Sequence, residues 1–540
     1  YARLLIPLLC AHWLRPRDAE LAERAGGWLG GLLRQYQRAI QAVMAHPARF
    51  AAVVALALAG AGGLAWYKVP SGFMPKMDEG GFILDYKAQP GAALADTDRL
   101  LRQVEALIRA TPEVASYSRR TGLQLGGGLT EADEGDYFIR LKDGRRRPIE
   151  AVMADLRQRI ATQVPGLQVE TAQLMEDLIG DLTAVPQPIE IKLFGDDPAR
   201  LAPVAQRVAG AIARIPGVVE VVDGLRVAGD AIAIRVDAGR ARLHGLDPAQ
   251  VADQVEALVG GNVATRVRVG EQMLDVRVRA PADLRARAAE LAQLPLVAPD
   301  GHALRVAQVA QVAVVAGQKQ RTREDLAPFI DVTARLEGRD LGSAMADVRR
   351  AVAALQLPAS VRVEYGGLYA QQRQSFADMA MVFSAALLLA ALLLTFLFER
   401  LAWTLAAMAT VLLSVAAVFI GLWLTGIELD VSALMGLTMV VGMVTELIVF
   451  YFSELAAGQP ASARALAEAG AKRLRPILMS ALIAILTLSP LALGVSRGAG
   501  LQQPLATAII FGLTAAVPLV LLLLPALVSV LQGRPRTPPA

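Results

Sequence analysis

The sequence predicts an α-helical membrane bundle carrying a large α+β domain on one side of the membrane. Three observations predict it. Long apolar runs sit toward both ends of the chain, and about 20 such residues suffice for a helix to cross a bilayer. Residues 69–378 between them have ordinary soluble composition. Within that stretch, strand patterns of period two alternate with amphipathic helical ones, and the arrangement occurs twice. The bulk composition agrees, with 54% hydrophobic residues in a chain of 540. A single cysteine, Cys10, excludes an internal disulfide framework. The net charge of +4 is dispersed and leaves no footprint for nucleic acid. His12, His46, His244 and His302 show no paired metal spacing.

Residues 1–17, YARLLIPLLCAHWLRPR, are apolar but too short to span. They read as the tail of a truncated transmembrane helix, so the chain is expected to be a fragment. Residues 18–47 place Trp28, Leu32, Leu33 and Tyr36 on one side and Arg34 and Arg38 on another, as in a helix lying at the membrane surface. Residues 49–67 form the first complete span, charge-free between Arg49 and Lys68, with Ala55, Ala59 and Gly63 as a stripe of small residues for close helix packing.

In the soluble stretch, GFILDYKA leads to the helix ADTDRLLRQVEALIRA, and PIEIKLFG leads to PARLAPVAQRVAGAIAR. VMADLRQRIATQVPGLQVETA is echoed by AMADVRRAVAALQLPASVRVEY in residue type and in its helix-to-strand switch. Two ferredoxin-like split βαβ units follow from this repeat. The first subdomain is 69–180. The second comes in two pieces, 181–224 and 319–375, separated by an inserted subdomain at 225–318 that ends in a hairpin turning at Asp300-Gly301. Further spans are expected at 379–398, 402–424, 431–455, 476–495 and 504–531, and a disordered tail at 532–540. Arg49, Arg400, the Lys472/Arg473/Arg475 cluster and Arg534/Arg536 all fall on one side, which the positive-inside rule makes cytoplasmic. The large domain is then periplasmic.

The span 431–455 carries Glu446 about two turns from the next charge, Glu454. A carboxylate at that depth costs about 2.5–3.5 kcal/mol by insertion scales, so it must be neutral, partnered or beside water. It reads either as polar glue between helices or as a protonatable group in an ion pathway. Intramembrane carboxylates favour the second role. Gly442 shares its face and leaves room for a neighbouring helix.

Other motifs lead nowhere. No phosphate-binding G-x-x-x-x-G-K-[ST] occurs, and QLGGGLT from Gln124 is glycine-rich without a lysine. Gly494 to Gly498 matches G-x-S-x-G, but it joins two spans and every histidine precedes it, the wrong order for a hydrolase. Glu131, Asp133, Glu134 and Asp136 are weak candidates for a hard-cation site, in a loop where acidic clusters are usually solvated.

VPSGFMPKMDEGGF from Val69, AGAKRLRPILMSALIAILTLSPLALG from Ala469 and GAGLQQPLATAIIFGL from Gly498 resemble the resistance–nodulation–division (RND) efflux permeases. The resemblance runs from end to end and covers the C-terminal half of such a protein, from the end of its sixth transmembrane helix through its twelfth. It implies a proton antiporter of the bacterial inner membrane, not an enzyme, needing no cofactor beyond the proton gradient and exporting a cation or a hydrophobic toxic compound. The implied partners are the N-terminal half of the same permease, two further copies in a homotrimer, a periplasmic adaptor and an outer-membrane channel. Residues 69–224 with 319–367 would line the substrate cleft, and 225–318 would dock toward the channel.

The resemblance also assigns a proton relay. Glu446 stands where drug-type relatives carry a lysine and heavy-metal-type relatives an acid. Arg473 and Ser480 match two further relay positions, and Thr445 is counted with them. The methionine triad of copper and silver members aligns near Glu134, Gly180 and Leu246, none of them a thioether. Outside the RND exporters, the same features admit an RND-like membrane auxiliary or a ligand-binding scaffold that does not pump. The outer domain has no cysteine and only His244 and His302, so titrating it in purified form with Cu(I) or Ag(I) should reveal no saturable site of micromolar affinity or tighter, about −8 kcal/mol. A stoichiometric tight site would restore the copper/silver reading.

Overall fold

The computed structural model describes residues 28–532 apart from 76, 123–130, 145, 184–186, 226–228, 286, 317–321, 456–461 and 496–497. The expectations for 1–17, the start of 18–47, QLGGGLT, the middle of the Gly494–Gly498 turn and the tail from 533 lie outside the described residues.

Helix α1 (Trp28–Ala45) buries Tyr36, Ile40 and Val43, one face of its amphipathic pattern. Helix α2 (Pro47–Lys68) follows at once, with Pro47 in its first turn, where the missing N–H is no loss. Its buried stripe is Ala51, Gly62 and Ala65. A Cβ on Gly62 would come within 2.7 Å of the Ala416 methyl. Ala59 and Gly63 are instead exposed and Ala55 half-buried. The close contact thus lies one residue before Gly63, because 51, 58, 62 and 65 follow the 3.6-residue period and a strict four-residue stripe drifts off it.

The first α+β unit contains β1 (Gly81–Lys87), α3 (Leu94–Arg109), β2 (Val114–Thr121), β3 (Glu134–Leu141), α4 (Ile149–Gln163) and β4 (Gln168–Gln173). Its antiparallel sheet has the order β2-β3-β1-β4. Phe82, Leu84 and Tyr86 alternate onto one face and pack with Leu101, Val104 and Ile108 of α3 and Val152, Leu156 and Ile160 of α4. The other face carries Ile83, Asp85 and Lys87, since successive strand residues point to opposite sides. A short helix, α5 (Leu174–Thr183), closes the unit.

The second unit repeats this plan with β5 (Ile189–Phe194), α6 (Pro198–Ile212), β6 (Val218–Val222), β14 (Ala327–Leu336), α7 (Leu341–Ala354) and β15 (Arg362–Gly366). Its order, β15-β5-β14 with β6 beyond β14, matches the first unit strand for strand, and β13 (Thr322–Glu324) adds an edge. Ile189, Ile191 and Leu193 face α6 and α7, leaving Glu190, Lys192, Asp331 and Arg335 on the open face. The insertion between β6 and β14 contributes β7 (Asp230–Val236), the hairpin β8 (Asn262–Val269) and β9 (Gln272–Val278), β10 (Pro295–Val297), β11 (Ala303–Arg305) and β12 (Ala310–Ala316). β10 and β11 pair across a turn at Asp300-Gly301, where Gly301 adopts φ +89°, a conformation costly for other residues.

Five more apolar helices complete the bundle: α8 (Gly367–Phe398), α9 (Leu401–Thr425), α10 (Val431–Phe452), α11 (Ala463–Ala492) and α12 (Gln503–Leu531). With α2, six helices are long and apolar enough to cross a membrane among the described residues. Helix α8 begins well before Met379, because nothing between Gly367 and Met379 breaks a helix. Likewise α11 starts at Ala463, where Ser462 caps it by accepting the Ala465 N–H at 3.1 Å. Its charged first turns hide this start from a hydropathy reading.

Helices α9, α10 and α12 meet at glycines. A Cβ on Gly436 would lie 2.8 Å from the Leu505 carbonyl oxygen, and one on Gly512 2.6 Å from a Val440 methyl. Apolar helices in lipid gain by approaching this closely. Gly512→Val should therefore lower the thermal stability of the purified chain in detergent by about 1–3 kcal/mol, with Gly512→Ala intermediate. Equal melting of all three proteins would contradict this packing.

Candidate functional site

Two regions concentrate polar groups where the fold makes them costly. The first lies on α10. Val440, Val444, Leu447 and Tyr451 are buried against the other helices, whereas Met435, Met439, Gly442 and Glu446 share a stripe left open by this chain. A Cβ on Gly442 would meet nothing within 4 Å. Thr445, beside Glu446, is buried and donates its hydroxyl to the Val441 carbonyl at 2.7 Å. Arg473 is not brought to Glu446. It pairs with Glu454 at 3.0 Å, as Lys472 does at 3.1 Å. Glu454 lies about 12 Å along the helix axis from Glu446. Ser480, half-buried, lies about 10 Å along α11 from Arg473.

The second region is the cleft between the open faces of the two sheets. Arg335 of β14, buried, reaches across to Glu176 at 2.8 Å and Glu170 at 4.0 Å, while holding Glu220 of its own unit at 3.4 Å. Glu220 in turn accepts the Thr171 N–H at 3.3 Å and the Thr171 hydroxyl at 3.1 Å, and pairs with Arg157 at 2.9 Å. The two units are thus joined by charge. On the first sheet, Asp136, Asp85 and Glu170 stand directly opposite one another across β3, β1 and β4. Asp136 is neutralised by Arg120 through bonds of 2.8 and 2.7 Å. Glu170 accepts a 2.9 Å bond from Gln187. Burial pushes the Asp85 carboxyl up to about 7, helped by Asp177, Glu170 and Asp136 and opposed by Arg335.

The acidic stretch from Glu131 does not assemble a metal site. Glu134 pairs with Lys87, Asp136 with Arg120, Asp133 is buried and Glu131 is exposed. Among the described residues, no group of three or more His, Cys, Asp or Glu side chains is placed to hold a metal ion. Leu246 is part of the insertion's apolar core. The cleft network of Arg157, Glu170, Glu220 and Arg335 was missed in the sequence. Its one signal is a charge at an interior strand position, as in QVETA and VTARL.

Comparison with known proteins matches residues 1–532 to the profile of the AcrB/AcrD/AcrF family. The chain is 28% identical over 542 residues to the cobalt-zinc-cadmium resistance protein CzcA of Cupriavidus metallidurans, covering 97% of this chain and 50% of that protein. It is 27% identical over 548 residues to the nickel and cobalt resistance protein CnrA of the same organism, covering 98% and 50%. Among solved structures, a heavy metal efflux pump superposes with a TM-score of 0.81 at 25% identity, over 94% of this chain and 53% of that one. The chain spans about half the length of the curated relatives it matches.

The row of carboxylates yields a pH test. The folded state holds the Asp85 proton to higher pH than the unfolded chain, so the stability contributed there falls as pH rises from about 4 to about 7. Asp85→Asn should stabilise the protein by about 1–2 kcal/mol at pH 8, less than full linkage because the group keeps some contact with solvent, and the gain should vanish near pH 4. A gain independent of pH, measured by denaturant unfolding, would contradict the assignment.

Proposed function

The chain belongs to the AcrB/AcrD/AcrF family of RND permeases, and from that premise we propose that it is the C-terminal half of a proton-driven exporter. The observation that carries the proposal is Glu446 on the open stripe of α10, beside Gly442. A carboxyl at that depth must be neutral, partnered or hydrated, and a group that alternates among these states can couple a proton to a change of helix packing. The N-terminal half of the same permease supplies the facing helix. Thr445 and Ser480 would relay the proton from Glu446, and Arg473, held by Glu454, would mark the end of the path toward the basic side. A scaffold that binds without pumping has little use for such an acid.

The charged cleft is the substrate passage in this reading, and the insertion at 225–318 docks the homotrimer toward a periplasmic adaptor and an outer-membrane channel. The protein sits in the bacterial inner membrane with both α+β units in the periplasm. Its substrate is a divalent cation of intermediate softness. The named relatives resist cobalt, zinc, cadmium and nickel, and the carboxylates of Asp85, Asp136 and Glu170 suit such ions better than Cu(I) or Ag(I). A hydrophobic toxic compound is the alternative cargo.

Glu446→Gln keeps volume and hydrogen bonding but cannot titrate. In the full-length permease it should express and trimerise normally yet lower cobalt and zinc tolerance of a pump-deleted host to background, about a hundredfold loss of transport rate. Glu446→Asp should retain partial activity with a shifted pH optimum. Wild-type tolerance from the Gln variant across roughly pH 6–8 would sink the relay.

A further inference from the structure

A cavity of about 390 Å³ opens where the second α+β unit meets the membrane bundle, lined by Arg349, Tyr365, Tyr369, Arg373 and Gln374 among others. Three elements converge on it. Arg349 comes from α7, Tyr365 from β15, and the others from the first turns of α8. Tyr369, Arg373 and Ala377 are spaced four apart and so share one face of α8. The Arg349 guanidinium lies 5.6 Å from the centre of the Tyr365 ring and donates a 3.4 Å bond to the Tyr369 hydroxyl.

Neither Arg349 nor Arg373 has an ion pair among the described residues. The acids nearest in sequence are engaged elsewhere. Asp347 holds Arg339 and Arg350, and Glu364 holds Arg362. Asp378 lies about 140° around α8 from Arg373, off the cavity face. Two cations, two phenol hydroxyls and an amide thus face one concavity with no anion among them. Guanidinium groups backed by such donors suit phosphate oxygens.

The depth of the cavity decides which phosphate. Met379 to Phe398 is the apolar part of α8, long enough to cross the hydrocarbon. Arg373 lies six residues earlier, about 9 Å outside it, within the headgroup layer and the reach of a guanidinium. This side of the membrane is opposite the basic cluster of Lys472, Arg473 and Arg475, where surplus arginines need a separate reason.

We propose that this cavity binds the phosphate of an anionic phospholipid headgroup from the leaflet facing the α+β units. The bound headgroup bridges Arg349 of α7 and Arg373 of α8, setting the angle at which the second unit sits on its membrane helix. β15 runs straight into that helix through Gly367, whose N–H is held by Glu190 at 3.0 Å, so the joint is short and a clamp there bears directly on it. The site is independent of the cargo and of proton coupling.

The test uses the full-length protein in nanodiscs of phosphatidylglycerol and phosphatidylcholine, with native mass spectrometry of the lipid retained after detergent release. Wild type should retain one phosphatidylglycerol per chain in preference to phosphatidylcholine. The double variant R349Q/R373Q, checked for normal trimer elution, should lose that preference by roughly tenfold or more. Added inorganic phosphate should not displace the lipid. Equal retention of both lipids, or unchanged retention by the double variant, overturns the site as a headgroup clamp. Displacement by millimolar phosphate overturns the lipid assignment in favour of a soluble anion.

Discussion

Hydrocarbon satisfies no polar group, and that constraint orders this whole chain. Backbone N–H and C=O groups must be satisfied inside the protein, and this chain does so within six helices. The helices then gain nothing from hydrophobic burial against one another and rely on close approach. Gly436, Gly512 and Gly62 supply it by leaving out the one atom that would clash. Buried hydroxyls obey the same constraint. Thr410, Ser414 and Thr445 each return a hydrogen bond to the carbonyl four residues earlier on their own helix. Glu446 is the group on α10 that cannot be silenced in this way, and it stands on the stripe that the chain leaves open.

Outside the membrane the balance reverses, and charge becomes the adhesive. Each α+β unit has its own apolar core between one sheet face and its helices. The opposed faces meet through Arg335, Glu176, Glu220 and Arg157. An ionic contact of this kind is strong when complete and weak when one partner is protonated or displaced, because an unpaired buried charge is costly. Apolar packing would weld the units together.

Much of this was legible in the sequence, for identifiable reasons. The duplicated split βαβ plan showed because strand and helix periods differ and VMADLRQRIATQVPGLQVETA has an echo near residue 344. The hairpin turn at Asp300-Gly301 showed because only a few residues tolerate its backbone. The stripe on α2 was misplaced by one residue, since Gly62 and Gly63 are chemically alike and only the neighbouring Ala416 distinguishes them. Helix α8 was cut short because hydropathy registers lipid contact, whereas helix formation continues through QQRQ. The cleft was invisible for a deeper reason. Glu170 and Arg335 lie 165 positions apart (335 − 170), and no local pattern announces that two strand interiors will face each other.

The proposed exchange moves a proton in one direction as cargo moves in the other. Its most direct test is counterflow in liposomes reconstituted with the full-length permease and loaded with a pH-sensitive dye. An imposed pH gradient should drive uptake of Co²⁺ or Zn²⁺, and the cation alone, without a gradient, should move protons the opposite way. A protonophore should abolish accumulation. Cation transport that proceeds at the same rate with the gradient collapsed and moves no protons would contradict the account.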